Sequence, residues 1–390
     1  MRNNLEKAFS FIDSKSNEMR LLWEKICKME SYSYDFEEVD KVQSYLEKEF
    51  SKSGMETKIY DFGESGNSLV ASYKGENILP GVAFMGHVDT VHKKGRFGEN
   101  PIRIEDGIIY GPGVLDCKGG VIVGFLAAQA LKYIGIDREI KLIYSGDEEI
   151  QHSTSLGKGA DVFLNEVKGF AAAFDCETGF VDGRIAVGRK GGAVYKIKII
   201  GKGAHAGNEP QNGISAIKEA AHKTINLEKL TNYEGITYNV GVIKGGTVAN
   251  SIPADCELQI DVRFRTNSDV EIAQKVLEEI TSTSYVKGTT ATLETVSLMH
   301  PMEKNDGNMR LFELVKQASL ELGFVEPREC VLGGASDAAY SVMAGVPTVC
   351  AIGVRGYANH TLEERALVSS LEERAKLLVA TVLNMPKDFK

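Results

Sequence analysis

The stretch Met85-Gly86-His87-Val88-Asp89-Thr90-Val91 constrains this chain more than any other. It closes an apolar run, Ile78-Leu79-Pro80-Gly81-Val82-Ala83-Phe84, whose lack of polar alternation predicts a buried strand. A histidine is thereby set where a strand stops and a loop begins. In open α/β sheets that edge collects ligands and chemistry. Asp89, two residues on, can accept a hydrogen bond from the second ring nitrogen of a metal-bound histidine and so fix its tautomer. By itself a His-x-Asp also suits a core histidine satisfied by backbone groups. The acidic residues that later strand ends bring to the same rim set this one apart.

Those later strands are read from the rest of the pattern. Helices are expected up to about residue 30 and over 36–50, with Gly54 as a stop. Strands follow at 56–60, 68–73 and 81–86, and a short strand pair at 102–104 and 108–110. A Gly-rich segment, Gly111-Pro112-Gly113-Val114-Leu115-Asp116-Cys117-Lys118-Gly119-Gly120, then opens a helix that is apolar on nearly every side and so predicted to be buried. The strand 140–145 ends in Gly146-Asp147-Glu148-Glu149, and the strand 170–174 ends in Asp175-Cys176-Glu177. Near-continuous apolar strands separated by helices predict an α/β fold, a mixed and mostly parallel sheet with helices on both faces.

The pattern changes at about Arg189. Alternating strands at 193–200, 236–243, 256–264 and 290–296 interleave with helices at 214–226 and 269–281, the order β-α-β-β-α-β of a split βαβ unit. The expectation is an inserted α+β, ferredoxin-like domain at 189–299, with residues 1–188 and 300–390 forming the catalytic domain. After it the α/β pattern resumes: a helix at 309–322, a Gly-rich turn at 332–337 before another helix, a strand at 347–353 leading to Asn359-His360-Thr361, and a capping box from Ser369 to Glu372 before a last helix.

Composition narrows the partners. With 390 residues, 43% of them hydrophobic, the chain can bury a large core, and its length suits two domains. A formal net charge of -9 argues against nucleic acid as a partner. No apolar run approaches the ~20 residues that cross a bilayer, and the first residues enter an amphipathic helix pattern without a hydrophobic signal core. No membrane partner is expected, and the simplest location is cytoplasmic. Six cysteines without Cys-x-x-Cys spacing read as reduced thiols.

Five loop or strand-end sites thus carry metal-type side chains: His87, Asp116, the pair Glu148-Glu149, Asp175 or Glu177, and His360. Imidazole and carboxylate without thiolate suit zinc or a neighbouring divalent ion. Two histidines and three carboxylates exceed one tetrahedral catalytic site, whereas two metals sharing a bridging carboxylate use them all. In such a pair, roughly 3.5–4 Å apart, a bridging water becomes the nucleophile and the metals polarise the carbonyl under attack. A carboxylate outside the ligand set must then carry the water's proton to the leaving amine, and the adjacent Glu148 and Glu149 can divide those roles. Other motifs fail: 111–116 lacks the third glycine of a dinucleotide turn, 334–338 lacks the second glycine of a nucleophile elbow, and no His-Glu-x-x-His occurs.

From about residue 15 to 385 the chain resembles the two-zinc metallopeptidase family of aminoacylase, acetylornithine deacetylase, succinyl-diaminopimelate desuccinylase, peptidase T and glutamate carboxypeptidase. The resemblance rests on the 86–91 and 111–120 stretches, Asp147-Glu148-Glu149, Gly203-Ala204-His205-Ala206-Gly207, Asn250-Ser251-Ile252-Pro253 and Asn359-His360-Thr361. It implies two zinc ions per subunit, with cobalt or manganese as alternative ions. His87 and an acid near position 177 would hold one, Glu149 and His360 the other, with Asp116 bridging. Glu148 would be the general base and Asp89 the partner of His87, and a cis peptide would join Asp116 to Cys117. In the family the histidine matching His205 reaches the substrate carbonyl, commonly in the partner subunit's site. That implies a homodimer, with the inserted domain as its lid and dimerisation element. Asn250 and Arg263 resemble positions that bind the substrate's carbonyl and carboxylate; Arg263 on the polar face of its strand also suits a solvated arginine.

Asp175 and Glu177 lie two apart on an extended segment and face the same side, so geometry leaves both open. Registering the segment on Gly183 and Arg189-Lys190-Gly191 favours Glu177. In the family glutamate there goes with carboxypeptidases and deacylases, and aspartate with aminopeptidases. The stretches 333–340 and 356–360 resemble the glutamate carboxypeptidase branch most. The implied activity is cleavage of the amide bond of a small peptide or N-acyl amino acid, with a peptidase T type aminopeptidase and a catalytically silent binding relative as the alternatives. Cys117, beside the bridging carboxylate, is expected to make the site sensitive to oxidation.

Overall fold

The computed structural model describes residues 2–75 and 79–389, so Ile78, at the head of the apolar run, lies outside the described residues along with Met1 and Lys390. From Gly81 onward the strand Leu79–His87 is buried throughout. It sits inside an eight-stranded sheet and pairs in parallel with Arg138–Ser145 on one side and Ala172–Asp175 on the other. Across the sheet the order is Glu56–Tyr60, Ser68–Tyr73, Arg138–Ser145, Leu79–His87, Ala172–Asp175, Thr348–Cys350, Arg184–Arg189 and Arg328–Leu332. The three central strands, the Ala172–Asp175 and Thr348–Cys350 pair and the last pair are parallel; the first two pairs and the contact of Cys350 with Ala186 are antiparallel. This is the mixed sheet expected from the apolar strand runs.

The helix Lys118–Ile134 is buried at nearly every position of its first four turns. It lies against the strand Leu79–His87 and against the helices Arg2–Lys28 and Ser370–Asn384, which explains why it carries no solvated face. Gly135 closes it in the left-handed conformation, φ 69°, where glycine avoids the Cβ penalty. Trp23 is fully buried and its indole N–H donates to the Val114 carbonyl at 3.1 Å, tying the first helix to the loop that leads into Asp116.

Register then sets the site. His87 stands opposite Ser145, and Met85 opposite Asp175. Three neighbouring chains, about 4.8 Å apart, therefore leave the sheet at one edge and carry Asp89, Glu148 with Glu149, and Glu177 just beyond it.

Short elements escape the sequence pattern. Strands Arg184–Arg189 and Arg328–Leu332 and the helix Lys158–Glu166 are too brief or too polar to register as periodic segments. The capping box at Ser369 is corrected: its side chain makes no cap bond. Glu372 instead accepts from Ser16, and Ser370 donates to the Leu367 carbonyl and accepts from the Arg355 backbone N–H.

Lys190–Glu303, with Gly333–Ala335, forms a second compact unit. Its antiparallel sheet has the order Thr237–Gly245, Asp255–Phe264, Gly191–Ile200, Thr290–Met299, and the helices Ala216–Glu228 and Asn267–Ser282 cover the apolar face. In Asp255–Phe264 burial alternates residue by residue, as period-2 reading predicts. Thr266 and Asp269 form a reciprocal capping box on the second helix. Among the described residues of the chain no helix is long and apolar enough to cross a membrane.

A buried ion pair fastens this unit's helices. Glu219 and Lys223, both almost fully buried, meet at 3.0 Å. The Lys223 ammonium donates to the carbonyls of Ile280, Thr281 and Thr283 at 2.6, 3.0 and 2.6 Å, satisfying the end of the helix Asn267–Ser282. Glu219 accepts from the backbone N–H groups of Tyr285 and Val286. Removing one partner strands the other charge, so Lys223→Ala is expected to lower unfolding free energy by about 3–5 kcal/mol in denaturant titration. Burial opposes the Glu219 charge, but Lys223 and the two N–H groups hold its pKa below the ordinary value of 4.5. Its contribution is therefore present above that value and fades as pH falls below it.

Candidate metal centre

At the sheet edge one carboxylate divides its oxygens between two histidines. Asp116 Oδ1 lies 3.3 Å from His87 Nε2, and Oδ2 lies 3.1 Å from His360 Nε2. Glu177 Oε1 approaches the same His87 nitrogen at 3.3 Å, and Glu149 Oε2 approaches the same His360 nitrogen at 3.2 Å. Glu148 Oε2 stands 4.0 Å from His87 Nε2. All six side chains thus converge, and the peptide bond joining Asp116 to Cys117 is cis.

Each side chain is held from behind. His87 Nδ1 faces the Asp89 carbonyl at 3.0 Å and its carboxylate at 3.3 Å, acceptors that hold a proton on Nδ1 and turn Nε2 toward the acids. The Asp89 carboxylate also accepts from the backbone N–H of Glu148 and of Glu149, at 3.3 and 3.1 Å, so one residue orients His87 and anchors the acid pair. Asp116 Oδ2 accepts from Asn359. Behind Asp116, buried Glu364 accepts the N–H of Leu115 and of Asp116 through Oε1, at 2.9 and 3.1 Å, while Oε2 pairs with His92 at 3.0 Å. Sequence reading missed Glu364 and His92; the one available signal was an acid four residues after His360.

The side chains at 175 and 177 go to different places. The strand ends at Asp175, so the two residues do not share a face. Asp175 Oδ2 accepts from Ser336 Oγ at 2.9 Å and from the Cys350 thiol at 3.2 Å, away from His87, whereas Glu177 faces His87. Two glycines permit this path: a Cβ on Gly120 would lie 1.7 Å, and one on Gly353 2.1 Å, from the Cys176 carbonyl oxygen.

Electrostatics define what the cluster lacks. The two histidines hold the Asp116 carboxyl well below its ordinary range in spite of burial. Burial pushes Glu148 well up against the pull of His87, and the charges of Glu177, Asp337 and Glu149 push the same way. Burial and Asp116 push Glu149 up to about 7. Asp116 and Glu149 raise His360 to about 11. Four carboxylates around two imidazoles leave an anionic excess, which the chain alone relieves by retaining protons. Divalent cations would relieve it directly, and an oxygen and nitrogen donor set of this kind fits zinc and its neighbours.

Cys117 lies close enough for its sulfur, a His87 nitrogen and a Glu177 oxygen to fall within 4.8 Å of one another. It accepts the His87 backbone N–H at 3.1 Å, and burial pushes its thiol well up. Burial and a raised pKa both disfavour the thiolate, the form that oxidation requires.

In the second unit, His205 is exposed and its Nδ1 accepts the backbone N–H of Gly207 and of Asn208, both at 3.1 Å, so the proton sits on Nε2. The exposed Asn250 accepts the Ala206 N–H through its backbone carbonyl. Arg263 binds Asp261 in a fork, Nε at 2.8 Å and Nη2 at 2.7 Å.

Carboxypeptidase G2 of a Pseudomonas species is 29% identical over 379 residues, covering 93% of this chain and 88% of that one. Succinyl-diaminopimelate desuccinylase of Rickettsia typhi is 28% identical over 258 residues, 60% of this chain and 66% of its own. Among solved structures, the aminopeptidase PepT of Bacillus cereus superposes with a TM-score of 0.75 at 25% identity, over 94% of this chain and 98% of that one. The M20 family metallo-carboxypeptidase of Sulfolobus solfataricus shares the fold, with a TM-score of 0.74 at 16% identity over 94% and 98%. The sequence profile of peptidase family M20/M25/M40 matches residues 83–384, from the strand before His87 to the end of the last helix. The chain belongs to peptidase family M20/M25/M40, a family of metal-dependent hydrolases of peptide-type bonds.

Proposed function

We propose that this chain is a two-zinc hydrolase of the amide bond of a small peptide or N-acyl amino acid, of the carboxypeptidase or deacylase type. The observation that carries the reading is Asp116, whose two oxygens face His87 and His360 separately, each histidine having a further carboxylate at hand. His87 and Glu177 would hold one ion and Glu149 and His360 the other, with Asp116 between them. Ions so held supply Lewis-acid polarisation of the scissile carbonyl and lower the pKa of water.

The chain's own groups supply the rest. Glu148 is buried beside the cluster, 4.0 Å from His87 Nε2, without being one of the five ligands, and its carboxylate is placed to take a proton from water and hand it to the departing amine nitrogen. Asp89 keeps His87 in the tautomer that offers Nε2. His205, its Nε2–H free of local backbone bonds, suits stabilisation of the carbonyl oxygen as charge develops there, and by family resemblance does so across a homodimer. Asn250 and the Nη1 of Arg263 suit the substrate's carbonyl and free carboxylate. The likeness to carboxypeptidase G2 and a glutamate rather than an aspartate facing His87 support the carboxypeptidase or deacylase reading. The Bacillus cereus aminopeptidase gives the second reading, and a panel separates them: N-blocked dipeptides and N-acyl amino acids cleaved, free di- and tripeptides left intact, or the reverse.

Elemental analysis of protein purified without chelator is expected to give about two zinc ions per subunit, and a value near zero after zinc incubation would sink the reading. Glu177→Ala is expected to lower that content toward about one, while Asp175→Asn leaves it at about two. Glu148→Ala should cost about 10²–10⁴-fold in turnover at unchanged metal content. Because His360 and Glu149 retain protons in the ion-free site, zinc uptake should release protons and weaken as pH falls from about 8 to about 6, measurable by calorimetry in buffers of different ionisation enthalpy.

A further inference from the structure

The loop that carries Glu148 and Glu149 is gripped on a second side by a buried histidine outside the ligand set. His152 Nδ1 lies 2.7 Å from Asp147 Oδ1, and Nε2 lies 2.6 Å from Asp337 Oδ1. All three side chains are 2% exposed or less. Both ring nitrogens thus face a carboxylate oxygen, the arrangement in which an imidazolium donates to two acids. Burial opposes that charge, yet Asp337 and Asp147 hold the His152 pKa well above its ordinary value. The acids are themselves anchored: Ser145 Oγ donates to Asp337 Oδ2 at 2.7 Å and Ser65 Oγ to Asp147 Oδ2 at 3.2 Å.

The backbone bends to make this contact. Gln151 and His152 both adopt left-handed conformations, φ 56° and 53°, which non-glycine residues hold only where surrounding bonds over-determine them. The Gln151 N–H closes on the Glu148 carbonyl at 2.7 Å and the His152 N–H on the Asp147 carbonyl at 2.9 Å, so 147–152 is a single tight turn. Gly159 leaves room for the ring: a Cβ there would meet His152 Nδ1 at 2.4 Å. Asp337 opens the short helix Ala338–Met343, so the ring ties the acid-bearing turn to a separate element.

We propose that His152, clamped between Asp147 and Asp337, is a positioning residue for the Glu148–Glu149 turn and sets the zinc affinity of the position formed by Glu149 and His360. The inference rests on the two-zinc reading. Hydrogen bonds behind metal ligands typically carry a 10–100-fold share of metal affinity. The clamp acts through the turn rather than by touching an ion.

The test is titration of the full-length, metal-free protein with Zn²⁺ alone, by chelator competition, with circular dichroism and thermal melts alongside. His152→Asn, too short to span both acids, is expected to keep the first zinc and weaken the second by about 10–100-fold. Asp337→Asn, which keeps the shape and removes one acceptor charge, is expected to weaken the second zinc as well, and it stands in if His152→Asn does not fold. Val162→Ala, a buried change in the neighbouring helix Lys158–Glu166, should lower the melting temperature while both affinities stay put. If wild type binds two ions and His152→Asn, or Asp337→Asn in its place, binds both within about twofold of wild type, the clamp does not position the turn. If wild type binds no zinc, the two-zinc reading falls and the inference with it.

Discussion

A single carboxylate organises this molecule's chemistry. Asp116 offers one oxygen to a histidine at the end of a central strand and the other to a histidine in a loop near the chain's end. Its placement depends on backbone rather than side-chain packing: Glu364 grips the N–H groups of Leu115 and Asp116, and Trp23 grips the carbonyl of Val114. Both grips are buried, where a hydrogen bond to a charged group is worth more than at the surface. Asp116 is thus held in place whether or not anything is bound to it.

The sheet register supplies the remaining acids at the same height, and the result is an anionic excess among mostly buried side chains. Such a site is unfavourable by itself. Burial and neighbouring carboxylates push Glu148 and Glu149 up, and Asp116 and Glu149 push His360 up, so cations bound there would displace protons. His152 addresses the same problem one layer back, as a fixed positive charge between two further acids.

Much of this was legible in the residues. His87, Asp116, Glu148, Glu149 and His360 stand near the ends of apolar runs or in Gly-rich turns, where their joint occurrence rather than any one of them marks a site, and all of them converge. The choice between Asp175 and Glu177 was not legible, because period-2 reasoning assumes a strand that continues. This one stops at Asp175, and Gly120 and Gly353 redirect the chain. Glu364, His92, His152 and Asp337 were silent for a different reason: each is defined by a partner 185 or more residues away, a distance over which no periodicity speaks. Ser369 shows the converse error, a local motif overruled because Glu372 has a tertiary partner in Ser16.

The grip of Glu364 on Asp116 spans 248 positions of sequence, and the second unit is made in between. During synthesis the ribosome therefore releases His87, Asp116, Glu149 and Glu177 long before the loop that completes them. Until Glu364 and His360 emerge, neither the second histidine nor the anchor of the Leu115–Asp116 backbone is present. Non-local closures of this length form slowly. The six side chains therefore come together only after residue 364 has been made, and the earlier half of the sequence does not hold the finished cluster by itself.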